Sequence, residues 1–394
     1  MEPVAEGQDL RPLVALLFVP GLYLCLLVSA AVALAGAALL ISLIYWLASY
    51  INRIPVGIIL LLALGGLYGV WVCVAAGWQS IQKARVRCHA IHLPRNDAPA
   101  FWAMLDDLSR TLACPTPANV IVEFGTSFFV TEAHVTSFAG DLSGRTLCIS
   151  APLTHLLTPA ELKAVLAHEF AHFTGQDTIY SRRFYPVYRG TTSALQQMQG
   201  VFSSSSKNSG WMALPLLVPA IIISRYLSWF SRVEARISRE REARADRIAA
   251  DTVGAGALGP ALAKTYAFSP IWERATERWI VAALNEGKAY RNLSVAFAER
   301  FRADAQLLDE VLRESTAAPP HPTDSHPTLS ERLEYLGFTE DVLFECVEEQ
   351  SAACLFAGWE QVERQLTDME TALIASYQPE VDRAALGRAA SSGT

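Results

Sequence analysis

The sequence predicts a mainly α (α+β) protein, in which an N-terminal transmembrane helical hairpin precedes a helical domain that carries a small sheet with an edge strand. Two long stretches without charge, 12–52 and 54–80, predict the hairpin. Helical periodicity in 160–177 and 231–251 predicts the helical domain. Short β-type runs between 119 and 150 predict the sheet.

The chain has 394 residues, which is enough for two or three domains. We expect a membrane anchor at 1–80, a second domain at 81–337, and a helical extension and tail at 338–394. Hydrophobic residues make up 52% of the chain and charged residues 18%, which favours a membrane protein over a soluble one. The net charge of -7 argues against nucleic acid as a partner.

The seven cysteines are an odd set without a CxxC pair. This usage fits a reducing compartment better than a disulfide framework. Cys88, His89 and His92 form a small cluster that could bind a metal ion, although no second ligand pair accompanies them.

The apolar stretches 12–52 and 54–80 each exceed the roughly 20 residues that cross a bilayer. We expect the first to be one tilted helix, kinked near Pro20, with two spans as the alternative. Basic residues gather directly after the second stretch: Lys83, Arg85, Arg87 and Arg95. The positive-inside rule therefore places the residues after 80 in the cytoplasm of a bacterial-type inner membrane.

The first part of the second domain contains one amphipathic pattern and three β-type runs. Residues 98–112 repeat apolar side chains at helical spacing. The runs 119–124, 127–131 and 146–150 are rich in β-branched and aromatic residues, which is typical of strands.

The motif HEFAH occupies His168 to His172 on a predicted helix. Thr158 and Glu161 form a capping box that predicts where this helix begins. Residues four apart lie on one helix face, so the two histidines can aim at one point, and Glu169 can reach a water held there. Two imidazoles and a carboxylate suit a hydrolytic zinc site. Because such a motif arises by chance in about one chain in a hundred, the surroundings must decide.

A third zinc ligand is expected further along the chain, in the predicted helix 231–251. Glu242 and Asp246 lie four residues apart there, so Glu242 could bind the ion and Asp246 could accept a hydrogen bond from a ligand histidine. Glu234 and Glu240 are rival ligands, and a solvated helix with internal salt bridges explains the same charges equally well.

Three ordered motifs resemble the HtpX and CAAX-prenyl-protease family of integral-membrane zinc metallopeptidases. HEFAH with Asp177 comes first, the family's SRxxExxAD helix matches Ser238 to Asp246, and a late HPxxxxR box matches His326 to Arg332. The resemblance implies a zincin-type domain that binds one zinc ion per chain through His168, His172 and Glu242. It also implies that Asp246 and Asp177 support the ligands from behind.

The resemblance extends to substrate binding and catalysis. His326 and Arg332 are candidates for stabilising the oxyanion, although His326-Pro327 could simply begin the helix 329–336. Where the family carries an Asn-Ala-Phe-Ala edge strand, this chain has Thr136 to Ala139, so the role of that asparagine is in doubt. Substrate is expected to add a strand along the Phe138 region.

The apolar run 211–230 lies between the two histidines and Glu242. If these residues bind one ion, a single membrane crossing between them is excluded. We therefore predict that 211–230 does not cross the bilayer, which Pro215, Pro219 and Arg225 also favour. The alternative, a second span within 191–210, is disfavoured by its glutamines and Lys207.

These features together predict a membrane-bound zinc endopeptidase that hydrolyses peptide bonds in membrane protein quality control or processing. Its expected partners are peptides, unfolded or membrane proteins, and the lipid bilayer. One alternative is a CAAX-type protease that processes lipidated peptides. Another is a catalytically silent membrane scaffold, against which the intact Glu169 and the full ligand set argue.

Overall fold

The chain alternates between two structural units. The computed structural model describes residues 11–51, 53–82, 85–138, 140–174, 177–203, 209–303, 327–338 and 350–377. The first unit combines Met1–Lys83 with Gln176–Ser238, and the second combines Ala84–Gly175 with Arg239–Thr394.

The first unit begins with a long helical hairpin. Helix α1 spans Arg11–Ile51 and helix α2 spans Val56–Ile81. The first apolar stretch is thus one continuous helix with Pro20 inside it, as predicted, rather than two. Many leucines on both helices are exposed, and the charge-free surface they form suits contact with lipid.

Small residues bring the two helices of the hairpin together. A Cβ atom placed on Gly66 would lie 2.7 Å from the Cβ of Ala37, and one on Gly69 would lie 2.7 Å from the Cβ of Ala33. Both alanines are buried. The helices therefore meet where both carry little or no side chain, which is a common way for membrane helices to pack.

Two further long helices belong mainly to the first unit. Helix α6 spans Asp177–Phe202 and contacts both α1 and α2. A short helix α7, Ser209–Ala213, and a 3-10 turn lead into helix α8, Leu217–Val253. Tyr68 Oη donates a hydrogen bond of 3.3 Å to the Gln197 carbonyl, which holds α6 to α2.

Helix α6 covers most of 191–210, the stretch in which the sequence disfavours a membrane span, and it is not among the described helices apolar enough to cross. Its glutamines lower its hydropathy, but its residues pack on apolar partners. By length and composition, three described helical stretches could cross a membrane: Leu17–Ile51, Val56–Ile81 and Gly210–Val253. Length and composition do not show whether a helix crosses, so it stays a prediction that 211–230 does not cross.

The second unit contains a four-stranded sheet in the order β2-β3-β7-β4. Strands β3 and β7 run parallel at its centre, and their inner residues are buried. The three predicted strands are confirmed as β3, β4 and β7, all within two residues of their expected bounds. The strands are β2 Ala90–His92, β3 Asn119–Glu123, β4 Phe129–Thr131 and β7 Thr146–Ser150.

A second, three-stranded sheet has the order β1-β5-β6, with strands β1 Arg85–Arg87, β5 His134–Ser137 and β6 Gly140–Leu142. The expected edge strand around Phe138 is wrong in its position. Thr136 and Ser137 belong to the central strand, which pairs on both sides, and Phe138 is 68% exposed at the turn that follows. An edge that adjoins the helix of the HEFAH motif is instead β4, which contacts that helix.

Helices complete the second unit around one core. The predicted amphipathic helix is confirmed as α3, and its Phe101, Leu105 and Leu108 are buried. The helices are α3 Pro99–Thr111, α4 Ala151–Leu156, α5 Pro159–Ala171, α9 Ala255–Asn285, α10 Leu293–Ala303, α11 Leu329–Tyr335 and α12 Trp359–Tyr377.

The C-terminal helix α12 is part of this same core. Trp359 and Leu366 are buried in it, and the ring of Phe356 lies 4.6 Å from that of Phe101. The buried Glu363 accepts a hydrogen bond of 2.7 Å from Asn292 and lies 2.7 Å from His155 Nε2. Residues 350–377 are thus anchored by both apolar and polar contacts.

The close approach of α1 and α2 gives a first prediction. Gly66→Ala places a methyl group against Ala37, so we expect it to cost about 1–3 kcal/mol of stability, as overpacking does. Gly36→Ala is the matched control, because a Cβ there meets nothing within 4 Å. Thermal unfolding of both variants in detergent measures the difference. Equal melting temperatures would show that the helices do not pack as described.

Candidate metal centre

Helix α5 presents both histidines of the HEFAH motif on one face. Its start is fixed by the expected capping box, in which Thr158 Oγ1 accepts from the Glu161 N–H and the Glu161 carboxylate accepts from the Thr158 N–H. His172 is the residue that ends the helix, and its backbone is still helical. The two imidazole rings consequently lie 4.9 Å apart in a perpendicular arrangement.

Glu242 of helix α8 lies directly opposite this pair. One of its oxygens is 3.3 Å from His168 Nε2 and the other is 3.4 Å from His172 Nε2. Ligand atoms of the three side chains all lie within 4.8 Å of one another, and no other group of His, Cys, Asp and Glu in the described ranges meets this criterion. Two imidazole nitrogens and a carboxylate are the donors that catalytic zinc sites use, so these residues fit the ion.

The rival ligands lie elsewhere. Glu234 accepts a hydrogen bond of 3.0 Å from Tyr188 Oη within the first unit, and neither it nor Glu240 belongs to the group of three. Cys88, His89 and His92 also form no such group within the described part of the chain.

Asp246 lies one helical turn beyond Glu242 and contacts His168 from behind. Its Oδ1 is 2.9 Å from His168 Nδ1. Through this contact the Nδ1–H group donates to Asp246, which turns Nε2 towards Glu242. Asp246 is 2% exposed, so its charge needs a partner inside the protein.

That partner is Arg332 of helix α11. Its Nε donates to Asp246 Oδ2 at 2.8 Å, and a terminal nitrogen donates to Oδ1 at 2.6 Å, which is a bidentate ion pair. The same nitrogen is 4.0 Å from a Glu242 oxygen. Arg332 is 5% exposed, and its pKa is well above its usual range because the pair with Asp246 outweighs burial.

The electrostatic environment favours positive charge between the two histidines. Burial lowers the pKa of His168, but its contacts with Asp246 and Glu242 outweigh burial and raise it to about 9. Glu169 is half-buried, and burial raises its pKa above the usual range of a glutamate. A carboxylate with a raised pKa is better suited to accept and then release a proton near neutral pH.

The structure brings together five of the residues singled out from the sequence: His168, His172, Glu242, Asp246 and Arg332. Arg332 forms an ion pair with Asp246, whereas the sequence suggested a role at the oxyanion. His326 lies outside the described residues, and Asp177 begins α6 without a described side chain.

Two residues of helix α9 that the sequence did not single out hold this arrangement. Lys264 Nζ lies 2.7 Å from Glu161, whose carboxylate belongs to the capping box of α5. Tyr266 Oη donates a hydrogen bond of 2.9 Å to the Pro327 carbonyl, just before α11. No motif surrounds either residue, so only the fold reveals their contacts.

Known proteins match the part of the chain that carries these site residues. The model of peptidase family M48 matches residues 105–339. A "Protease HtpX homolog" from Syntrophobacter fumaroxidans (strain DSM 10017 / MPOB) is 28% identical over 206 residues, which are 48% of this chain and 68% of the relative. Another, from Ralstonia pickettii (strain 12J), is 27% identical over 195 residues, or 49% of this chain and 64% of the relative.

The chain thus spans about two thirds of the length of these curated relatives. No solved structure matches it. Because the family model covers more than half of the sequence and includes the histidine pair, Glu242 and Arg332, the chain belongs to peptidase family M48, a family of metal-dependent peptidases.

Proposed function

We propose that the protein is a membrane-bound zinc endopeptidase that cleaves unfolded or membrane proteins in quality control or processing. The observation that carries this proposal is the convergence of His168, His172 and Glu242 within 4.8 Å, next to Glu169, in a chain with long apolar helices. The two histidines and Glu242 would hold one zinc ion. The ion would supply Lewis-acid polarisation of the scissile carbonyl and activation of water.

The chain's own residues perform the proton transfers and the positioning. Glu169 accepts the proton of the attacking water and passes it to the leaving amine, for which its raised pKa is suited. Asp246 holds the His168 ring so that Nε2 faces Glu242. Arg332 neutralises the Asp246 charge and fixes its orientation.

The substrate would bind as an added strand along β4. This strand pairs with β7 on one side and is an edge of the four-stranded sheet, and it contacts α5. An extended peptide could use the free backbone groups of Phe129–Thr131, as in other β-addition complexes. This replaces the Phe138 region as the expected binding strand.

The catalytic role of Glu169 gives the second prediction. Glu169→Gln should lower casein cleavage by the full-length protein at least about a hundredfold, because the general base is lost, while bound zinc stays near one per chain. Glu242→Gln should lower both cleavage and zinc content. Glu334→Gln, an exposed site, is the control.

Retained cleavage by Glu169→Gln would sink the assignment of the base. Zinc binding without any cleavage by the unaltered protein would favour the silent scaffold. Faster cleavage of a lipidated peptide than of casein would favour the CAAX-type alternative.

The Arg332 contacts give the third prediction. Arg332→Ala leaves Asp246 buried without its partner, so we expect a loss of about 3–5 kcal/mol of stability and about tenfold to a hundredfold weaker zinc binding. Arg332→Lys should recover part of both. Zinc titration by a competing chelator and thermal unfolding measure them, with exposed Arg291→Ala as control. Unchanged zinc affinity with a lower kcat would instead place Arg332 at the oxyanion.

Membrane topology gives the fourth prediction, which assumes that the zinc ligands meet. The zinc ligands on α5 and α8 must lie on one side of the membrane, which is the cytoplasmic side in our proposal. The helices between them, α6 and the first part of α8, therefore cross the bilayer either zero times or twice. We expect zero crossings, as the sequence predicts, because α6 is not among the described helices apolar enough to cross.

Labelling of Ser203→Cys, an exposed residue after α6, separates these cases. An impermeant reagent applied outside the inner membrane should leave it unlabelled if neither helix crosses, and label it if both do. Gln82→Cys, next to the proposed cytoplasmic domain, is the internal control. Labelling of Gln82→Cys from outside would contradict the proposed orientation.

A further inference from the structure

A described cavity of the second unit contains none of the metal ligands. Its volume is about 690 Å³, and it is open to solvent on one side. Parts of four segments line it: the turn after β1, the end of β3 with the loop after it, the middle of α9, and the last part of α12. This volume falls in the range of small-molecule sites in proteins.

Two half-buried carboxylates, Glu123 and Glu370, line the cavity from opposite segments. Burial raises the pKa of both, although His89 acts in the opposite direction on each. Within the described residues, neither carboxylate has an ion-pair partner. Burial therefore removes water from both carboxylates, and no basic side chain of the described residues pairs with them. A cationic ligand would offset this loss of solvation.

The lining of the cavity also contains aromatic and apolar side chains. Phe124 and Trp272 are buried, and their ring centroids lie 5.5 Å apart. Leu373 and Ile374 of α12 extend this surface. Aromatic faces attract ammonium and guanidinium groups and also hold an apolar stem.

Glu123 is held in place by local backbone geometry. Its side chain folds over Gly125, because a Cβ atom there would lie 2.4 Å from Glu123 Oε1. The buried Cys148 thiol donates a hydrogen bond to the same carboxylate. The glycine thus leaves room for the carboxylate at the cavity, and any side chain at 125 would displace it.

A metal ion is a poor match for this cavity. Cys88 and His89 lie beside Glu123 in its lining, but no three donors there come close enough to count as a ligand group in the described structure. The carboxylates of Glu123 and Glu370 in the lining also disfavour an anion.

We propose that this cavity binds an organic cation, an ammonium or guanidinium group on an apolar stem, between Glu123 and Glu370. The family match covers 105–339, so the residues around His89 and those of α12 lie outside it. The cavity thus combines residues within the matched region, Glu123 and Trp272 among them, with residues that flank it. It does not depend on the proposed zinc chemistry. The cation is supplied by a free polyamine or by a basic side chain of a polypeptide.

Calorimetric titration of the full-length protein in detergent tests the site. The probes are spermidine and a blocked Gly-Arg-Gly tripeptide, with the citrulline tripeptide as the uncharged comparison, and Glu169→Gln serves as the background to prevent cleavage. We expect saturable binding of at least one cationic probe and at least about tenfold weaker binding of the citrulline peptide. Binding of spermidine alone identifies a free amine as the source, and binding of the arginine peptide identifies a side chain.

Variants then locate the binding. Glu123→Gln and Glu370→Gln should each weaken it about tenfold. Asp368→Asn should not, because this residue is exposed on the same helix and does not line the cavity. Gly125→Ala should also weaken binding without a change of charge, since it displaces Glu123. Unfolding curves confirm that each variant is folded.

The absence of saturable binding of both cationic probes would overturn the proposal. Saturable binding of the arginine and citrulline peptides with equal affinity would also overturn it, as would unchanged affinity of the bound probe in all three cavity variants.

Discussion

The buried carboxylate of Asp246 is the group on which the site depends. It contacts His168 on α5 and binds Arg332 on α11, while its own helix, α8, supplies Glu242. A buried charge costs several kcal/mol unless its partners are well placed, and here it has two. The three helices must therefore meet in one register, because any other leaves at least one buried charge unpaired. The same contacts aim His168 Nε2 at Glu242.

Helix α9 contacts the starts of the two helices that carry His168 and Arg332. Lys264 binds Glu161 in the capping box of α5. Tyr266, half a turn further on, donates to the Pro327 carbonyl just before α11. One helix thus fixes where both the histidine helix and the arginine helix begin. The precision of the metal centre follows from rigid helices rather than loops, which agrees with what preorganised sites require.

Local signals predict much of this arrangement, and long-range pairing accounts for the rest. The capping boxes at Thr158 and Thr328 fix the starts of α5 and α11. His168 and His172 are four residues apart and so lie on one face of α5. Both features can be predicted from the sequence. Strands β1, β5 and β6 are only three or four residues long. Although β5 and β6 pair locally, β1 is defined by its distant partner β5. Likewise, the glutamines of α6 suggest a solvated segment until its packing on α1 and α2 is known. The partner of Arg332 could not be predicted, since 86 residues separate it from Asp246.

Two glutamates of α12 illustrate how to separate structural charges from functional ones. Glu363 and Glu370 are seven residues apart, so they lie on the same side of the helix about 10 Å apart. Glu363 is 1% exposed and is held by His155 and Asn292, so its charge anchors α12 to the core. Glu370 is half-buried beside an open cavity and has no such partners in the described structure. A buried charge with partners inside the protein, such as that of Glu363, stabilises the fold. A partly desolvated charge without such partners, such as that of Glu370, is best compensated by a bound ligand of opposite charge.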